Sequence, residues 1–144
     1  MHINEVSGRI VDEAYKLHSE LGPGLLESVY EVLLCHRLRK RQLNVLRQVS
    51  IPIHFDGISF DEGFRADLIV EQQIVVELKS NEKNHPVHGK QLLTYLRLAD
   101  KPLGLLINFG LPLLKDGLKR VVHHLPPESS LRRSESLRVL RDSA

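Results

Sequence analysis

The first part of the chain places its apolar residues at helical spacing. Residues 4–21 repeat apolar side chains every three or four positions, which predicts an amphipathic helix. The Gly-Pro-Gly sequence at residues 22–24 ends this helix. A second helix is predicted at residues 26–41, where apolar positions recur with a similar period. We expect the buried face of this second helix to carry Val29, Val32, Leu33, His36 and Leu38.

The middle of the chain changes to the alternation of a β-strand. Residues 45–55 alternate apolar with polar side chains, so one face of this strand is predicted to be wetter than the other. Pro52 indicates an edge strand or a bulge, because proline has no backbone N–H to donate. An Asp-Gly pair at residues 56–57 predicts a hairpin turn. A second strand follows at residues 58–70, with a break expected near residues 61–63.

The second half of the chain alternates strands with one helix. The predicted elements are a strand at residues 74–80, a helix at residues 86–99, a strand at residues 103–109, a loop at residues 110–117 and a last strand at residues 119–125. The strand at residues 103–109 is apolar throughout, which is typical of a strand buried on both faces. The order α-α-β-β-β-α-β-β predicts a small mixed sheet flanked by helices, an α/β or α+β sandwich. The helix, beginning at Pro86 or Val87, is expected to face a core with Leu92, Leu93, Leu96 and Ala99.

Three charged residues interrupt the apolar runs between residues 64 and 79. They are Asp67, Glu77 and Lys79, and charge in a buried strand is costly unless it is paired or holds a metal. Glu77 and Lys79 share one face of their strand, because side chains alternate between faces. An ion pair of Lys79 with Glu77 or Asp67, a purely structural arrangement, is the alternative to a functional site.

The turn between the second and third strands decides whether the two acids meet. A three-residue turn at residues 71–73 would pair Val70 with Ile74 and place Asp67 opposite Glu77, with Cβ atoms about 5 Å apart. A two-residue turn would send Asp67 to the other face. Neighbouring carboxylates repel, and this raises one pKa unless a cation lies between them. Oxygen ligands of this kind suit Mg²⁺ or Mn²⁺.

The composition of the chain indicates what class of protein carries these residues. The chain has 144 residues, 42% of them hydrophobic, a formal charge of +2 and a single cysteine, Cys35, which we expect to fill core space. We expect one domain in residues 1–126, a Ser- and Arg-rich tail at residues 127–144 that is helical or disordered, and a cytoplasmic location. No apolar run is long enough for a membrane span, and no signal peptide is evident at residues 1–5.

Several short motifs occur in a recognisable order. They are Gly-Leu-Leu-Glu-Ser-Val-Tyr at residues 24–30, Phe-Arg-Ala-Asp at residues 64–67, Glu-Leu-Lys at residues 77–79, Gln-Leu-Leu-Thr-Tyr-Leu at residues 91–96, Asn-Phe-Gly at residues 108–110 and Lys-Arg-Val at residues 119–121. This order resembles the PD-(D/E)XK nuclease superfamily and, within it, the family named for its Gly-x-x-Glu-x-x-Tyr motif. The resemblance covers residues 4–125. Ala66 departs from the proline that precedes the first acid in the superfamily.

The resemblance implies a restriction-endonuclease-like α/β core and a metal-dependent phosphodiesterase. Asp67 and Glu77, with the backbone carbonyl of Leu78, would hold Mg²⁺ or Mn²⁺. Lys79 would orient the attacking water or stabilise developing negative charge. Glu27 would be a ligand of a second metal or would support the acid pair, although a carboxylate at a helix N-terminus also complements the helix dipole.

The resemblance also implies contacts to substrate on two helices. Gln91 and Tyr95 share one helix face and would reach the active site or the substrate phosphates, with a solvated helix edge as the alternative. Tyr30 either hydrogen-bonds at the site or packs with its hydroxyl satisfied. The remaining candidates for phosphate contact are His88, Arg65, Lys83 and Lys90, which lie nearer to the proposed site than the basic cluster at residues 37–41.

Three functions remain open from the sequence. The first is a Mg²⁺-dependent nuclease that hydrolyses DNA phosphodiester bonds, possible as a homodimer because so small a domain often pairs to span a duplex. The second is an inactive module of the same fold that binds nucleic acid or a protein partner. The third is a metal-dependent hydrolase of a small phosphate ester.

Overall fold

The computed structural model describes residues 1–124, which begin with two packed helices. Helix α1 (Ile3–Leu21) buries an apolar stripe and ends at Gly22, whose φ of 73° is readily adopted by glycine. Helix α2 (Glu27–Lys40) follows within one residue of its predicted bounds. Neither is long and apolar enough to cross a membrane, nor is any other helix in residues 1–124.

The predicted buried face of α2 is largely wrong. Val29 and Val32 are exposed, Leu33 is half-buried and His36 is exposed, so only Leu38 is correctly placed. Apolar residues occur on several sides of this helix, and their spacing alone does not decide which side meets the sheet. The predicted core position of Cys35 is confirmed. The face that is buried carries Tyr30, Glu31, Leu34, Cys35 and Leu38.

A five-stranded mixed sheet forms the centre of the fold, with the strands in chain order. The strands are β1 (Val45–Phe55), β2 (Ile58–Val70), β3 (Ile74–Lys79), β4 (Leu103–Asn108) and β5 (Leu118–Val122). All neighbours are antiparallel except β3 and β4, which are parallel. Helix α3 (Pro86–Ala99) makes the crossover that a parallel pair requires. The predicted α/β fold of helices flanking a mixed sheet is confirmed.

Strand β1 is the edge strand that Pro52 predicted, and a register shift lies between Ile51 and Ile53. Opposite this point, β2 runs continuously through residues 61–63, so the predicted break is an irregularity of pairing within one long strand. Strand β4 lies between two neighbours and is buried on both faces, as predicted.

Two hydrophobic clusters occupy the two faces of the sheet. One joins α1 and α2 to the face of β3 and β4 that carries Leu78 and Ile107. The other places Leu92 and Leu96 of α3 against the opposite face, with Leu93 and Ala99 half-buried beside them, as predicted.

The last described residues differ from the prediction in the bounds of their secondary-structure elements. The predicted loop at residues 110–117 contains a single helical turn, α4 (Leu114–Gly117), and β5 ends at Val122 instead of residue 125. The predicted tail at residues 127–144 and the domain boundary at residue 126 lie outside the described residues.

A three-residue turn joins β2 to β3 and sets their register. Val70 pairs with Ile74, as predicted for a turn of this length. Glu71 and Gln72 both adopt left-handed backbone conformations, with φ of 53° and 59°. Such conformations are uncommon for residues other than glycine.

Asn108, at the end of β4, holds the chain that leaves β3. Its Oδ1 accepts hydrogen bonds from the backbone N–H groups of Asn81 and Gly110, at 2.9 and 3.0 Å. Its Nδ2 donates to Asn84 Oδ1 at 3.1 Å. The side chain is buried, so these bonds replace water for both partners.

Asn108→Ala is therefore expected to lower the free energy of unfolding by about 2–3 kcal/mol, because two backbone N–H groups lose their acceptor. Urea unfolding followed by circular dichroism measures the change. Asn44→Ala, at an exposed asparagine between α2 and β1, is the matched control and should change stability by less than about 0.5 kcal/mol. Equal effects of the two substitutions would contradict the assignment.

Candidate active site at the ends of strands β2 and β3

Asp67 and Glu77 lie where β2 and β3 separate. The last paired residues of this ladder are Leu68 and Val76. One step further, the backbone N–H of Leu78 donates to Asp67 Oδ2 at 2.8 Å, and the backbone N–H of Asp67 donates to Glu77 Oε1 at 3.3 Å. Each carboxylate thus accepts a backbone hydrogen bond from the neighbouring strand, and the two side chains lie side by side.

Burial and the charge of Asp67 together raise the pKa of Glu77 to about 8. Burial is the larger cause, because it disfavours the charged form, and the neighbouring carboxylate adds repulsion. Lys79 opposes the shift, so it is close enough to act on Glu77. Within residues 1–124, however, Lys79 forms no ion pair with Glu77 or Asp67. The ion-pair alternative for this trio is therefore not the arrangement that the structure holds.

The donor atoms suit a hard divalent cation. Two half-buried carboxylates lie side by side, and neither forms an ion pair with a cationic side chain of residues 1–124. Oxygen donors are what Mg²⁺ and Mn²⁺ prefer. The N–H of Leu78 is bonded to Asp67, so the Leu78 peptide lies beside the acid pair. Its carbonyl remains the third predicted ligand.

Two residues that the sequence did not single out support Asp67. Gln48 on β1 donates through Nε2 to Glu31 Oε1 at 2.6 Å and lies 3.4 Å from Asp67 Oδ1. Glu31 is buried on α2 and also accepts two bonds from the Arg47 guanidinium, at 2.9 and 3.1 Å. Glu31 and Gln48 thus connect α2 to the acid on β2.

Gln48 has a φ of 50°, an uncommon conformation for glutamine, and it is skipped in the β1–β2 pairing between Arg47 and Val49. Local strain of this kind concentrates at functional sites. The signal available in the sequence was Glu31 itself, an acid four residues after Glu27 on a helix.

Glu27 is exposed at the first turn of α2 and lies near, but not within, the acid pair. It lines a cavity of about 670 Å³ together with Ser80 and Asn81, which directly follow Lys79. Ser80 Oγ donates to the carbonyl of Leu25 at 2.6 Å and so fastens the chain before α2 to the end of β3. Glu27 is therefore placed beside the site without a bond to Asp67 or Glu77.

Of the two alternatives predicted for Tyr30, the structure holds packing with a satisfied hydroxyl and not a hydrogen bond at the site. Tyr30 is fully buried, its ring stacks on Phe109 with centroids 4.3 Å apart, and its hydroxyl donates to the carbonyl of Gly22 at 2.6 Å. A side chain enclosed in this way does not reach a ligand. Tyr30 holds the loop between α1 and α2, in which Gly24 has a φ of 104°.

One face of α3 carries three of the predicted site residues. His88 lines a cavity with Lys79, and burial, followed by the charges of Lys79 and His85, lowers the pKa of His88. Tyr95 stacks on Phe64, with ring centroids 4.1 Å apart. Gln91 lies between His88 and Tyr95 on the same helix face and is exposed.

The basic residues predicted to contact phosphate differ in whether they already form an ion pair. Arg65 lies two residues before Asp67 and pairs with Glu62 at 2.8 Å, so its guanidinium is already engaged at the surface. Lys83 and Lys90 are exposed and form no ion pair within the part of the chain that the structure describes.

A second cluster of residue types that can bind metals lies at the far end of α3. His124 Nε2 and His123 Nε2 lie 3.2 and 3.8 Å from Asp100 Oδ1. Asp100 is mostly exposed and is the last residue before the chain turns away from α3. The contact of its carboxylate with His124 accounts for this cluster as a link between the end of α3 and the end of β5.

The chain has no match among curated proteins and none among solved structures. A sequence profile described as the PD-(D/E)XK nuclease superfamily matches residues 4–121. The matched segment runs from the start of α1 into β5 and contains both acids, Lys79 and all of α3. The chain therefore belongs to the PD-(D/E)XK nuclease superfamily.

Proposed function

We propose that this protein is a Mg²⁺-dependent nuclease that hydrolyses phosphodiester bonds in DNA. The observation that carries the proposal is the pair of adjacent carboxylates, Asp67 and Glu77. Lys79 lies on the same strand face as Glu77 and forms no ion pair within residues 1–124. Superfamily membership supports nuclease chemistry for this arrangement. Mn²⁺ would serve in place of Mg²⁺, because both prefer oxygen ligands.

Each residue has a distinct part in the proposed reaction. Asp67 and Glu77, with the carbonyl of Leu78, would hold the cation, whose chemistry is to acidify water and neutralise charge on the scissile phosphate. Lys79, which forms no ion pair within residues 1–124, orients the attacking water or stabilises charge on the phosphoryl oxygens. Glu27 supports the site from its edge, and Gln91 on α3 contacts the substrate.

The substrate and the narrower family are also proposals. The motif of Gly24, Glu27 and Tyr30 favours the Gly-x-x-Glu-x-x-Tyr family within the superfamily, and the buried packing of Tyr30 gives that tyrosine a structural reason. His88, Lys90, Arg65 and Tyr95 border the site and are the proposed positions for nucleic-acid contact. A homodimer would let a domain of this size act on both strands of a duplex.

Asp67→Ala and Lys79→Ala are each expected to reduce Mg²⁺-dependent cleavage of DNA at least about 100-fold, because each removes charge stabilisation that acts in the transition state. Cleavage of a labelled duplex by purified protein, with and without Mg²⁺, measures the loss. Asp61→Ala, at an exposed acid on the same strand as Asp67, and Lys16→Ala, on the opposite layer, are controls that should retain activity.

Full cleavage by the Asp67 and Lys79 variants would defeat the proposal. Salt-dependent DNA binding by the unaltered protein without turnover would instead favour the non-cleaving module of the same fold. Cleavage of nucleotides but not of oligonucleotides would favour a hydrolase of small phosphate esters.

Glu77→Gln is expected to stabilise the metal-free protein at pH 7.5. Glu77 has an ordinary pKa of 4.5 and a pKa of about 8 in the fold, so between these values the folded state retains a proton that the unfolded chain has lost. The contribution of Glu77 to stability therefore falls as the pH rises through this window. An amide removes this penalty and should raise the free energy of unfolding by roughly 1–2 kcal/mol at pH 7.5 and by almost nothing at pH 4.

The same variant separates metal binding from general stability. Mg²⁺ should raise the melting temperature of the unaltered protein and have less effect on the Glu77→Gln variant, because a ligand is lost. Glu82→Gln, at an exposed carboxylate in the loop after β3, should leave both responses unchanged. A Mg²⁺ response that is identical in all three proteins would remove Glu77 from the proposed ligand set.

A further inference from the structure

A second cavity borders Lys79 on the side of β4 and β5. Its volume is about 430 Å³, within the range of sites that bind small molecules. Asp67 and Glu77 do not line it, so it is separate from the acid pair, although it shares Lys79 and the bordering His88 with the proposed site. Its polar lining includes Lys79, Asn84, His85, His88, Asp116 and Lys119.

The register of the sheet places Lys119 in one row with the two acids. Glu77 pairs with Leu106 on β4, and Leu106 pairs with Lys119 on β5. Paired residues lie on the same face, so the row continues from Asp67 and Glu77 through Leu106 to Lys119. Two strand spacings separate Glu77 from Lys119, which is about 10 Å. A cationic position thus follows the acid pair across the sheet.

Gly89 on α3 makes room for the Lys119 side chain. A Cβ atom on Gly89 would lie 2.7 Å from Lys119 Nζ and 3.2 Å from its Cε, so the flexible end of this lysine would have to shift from its present position. Glycine inside a helix lowers helix stability relative to alanine. The helix therefore carries an unfavourable residue at the point where the ammonium group of Lys119 reaches the cavity.

The cavity carries positive charge that no described residue neutralises in an ion pair. In residues 1–124, neither Lys79 nor Lys119 forms an ion pair. Among the described lining residues, Asp116 is the one carboxylate, and it is paired with neither lysine. The lowered pKa of His88, caused by burial and then by Lys79 and His85, is consistent with a cavity that disfavours further cations.

We propose that this cavity binds a second phosphate group of the substrate, with Lys119 as its principal ligand. Lys79 then lies between this phosphate and the scissile one, while neutral His88 and the Asn84 amide supply further hydrogen-bond donors. That the phosphate belongs to a nucleic acid rests on the proposed nuclease function. The binding of phosphate itself rests only on the cavity and its charges.

The phosphate has two possible sources with the same chemistry. It is either the next phosphodiester group of a continuous strand or the terminal phosphate of a strand end. The first would make Lys119 a general contributor to substrate binding. The second would make the cavity a sensor of strand ends and would direct the enzyme to cleave near them.

Binding is tested without catalysis by titrating the metal-free protein with inorganic phosphate and following backbone amide chemical shifts by NMR. In the unaltered protein we expect saturable shifts at Gly89 and at residues around Lys79 and Lys119. Lys119→Ala should raise the dissociation constant about tenfold, the effect of losing one charge-assisted hydrogen bond. Lys119→Arg should restore most of the affinity.

Gly89→Ala is the sharper variant because it keeps every charge. It should stabilise α3 and yet weaken phosphate binding severalfold, since its methyl group would make the end of the Lys119 side chain shift from its present position. Gly8→Ala is the matched control, because Gly8 is an exposed helical glycine with nothing within 4 Å of an added Cβ. Lys16→Ala is the control for loss of a lysine. Unchanged affinity in both the Lys119→Ala and the Gly89→Ala proteins, or shifts confined to other regions, would overturn the proposal.

The source of the phosphate is resolved by cleavage kinetics on duplexes that carry a 5′-phosphate, a 3′-phosphate or neither. If the cavity takes a terminal phosphate, the unaltered protein should show a lower KM for one phosphorylated duplex, and Lys119→Ala should abolish the difference. If it takes an internal phosphodiester, Lys119→Ala should raise KM equally for all three. Normal KM values in the variant would refute both forms.

The experiments distinguish failure of the proposed nuclease function from failure of the proposed second phosphate site. A protein that cleaves none of the duplexes would count against the nuclease function, while the NMR titration would still decide whether the cavity binds phosphate. Cleavage with unchanged phosphate affinity in both variants would leave the nuclease function standing and remove the second phosphate site.

Discussion

The fold holds two carboxyl groups side by side that would repel each other if both were ionised. Each accepts a backbone N–H from the neighbouring strand at the point where the strands diverge, which fixes Asp67 beside Glu77. Without a cation the repulsion is avoided near neutral pH, because Glu77 has a pKa of about 8 and keeps its proton. No side-chain cation of residues 1–124 forms an ion pair with either acid, so the arrangement is suited to an external cation.

Several elements could be predicted from the sequence because simple periodicity determines them. The turn at residues 71–73 has an odd length, and the two-residue period of a strand then brings Asp67 to Glu77. The crossover helix and the buried β4 follow from one amphipathic segment and one apolar run. These features are local, so they need no knowledge of how distant segments pack.

Other parts of the site could not be predicted because they arise from packing between distant segments. The face of α2 that meets the sheet is fixed by the whole helical layer, which buries Glu31 and encloses Tyr30. The left-handed conformation of Gln48 has no signature in its residue type. Lys119 joins the row of acids only through the register of β3, β4 and β5, three strands that are distant in the chain.

The loop after β3 connects the acid pair to the neighbouring cavities. Asn108 fixes Asn81 and Asn84, and Ser80 holds the chain before α2, so both cavities border a loop that is held at several points. Gly110 and Gly117 allow this close approach, because a Cβ on either would lie 2.2–2.3 Å from the backbone of the loop or of Asn108. The lysine that ends β3 therefore projects from a well-supported framework.

The turn between β2 and β3 has a consequence for how such a domain can diverge. Glu71 and Gln72 hold left-handed conformations, which residues other than glycine adopt uncommonly, so this turn keeps its length despite an unfavourable backbone conformation. One residue more or one fewer would turn an acid away from its partner. Insertions that preserve the acid pair should therefore enter this turn in pairs, which gives a rule on turn length for related chains.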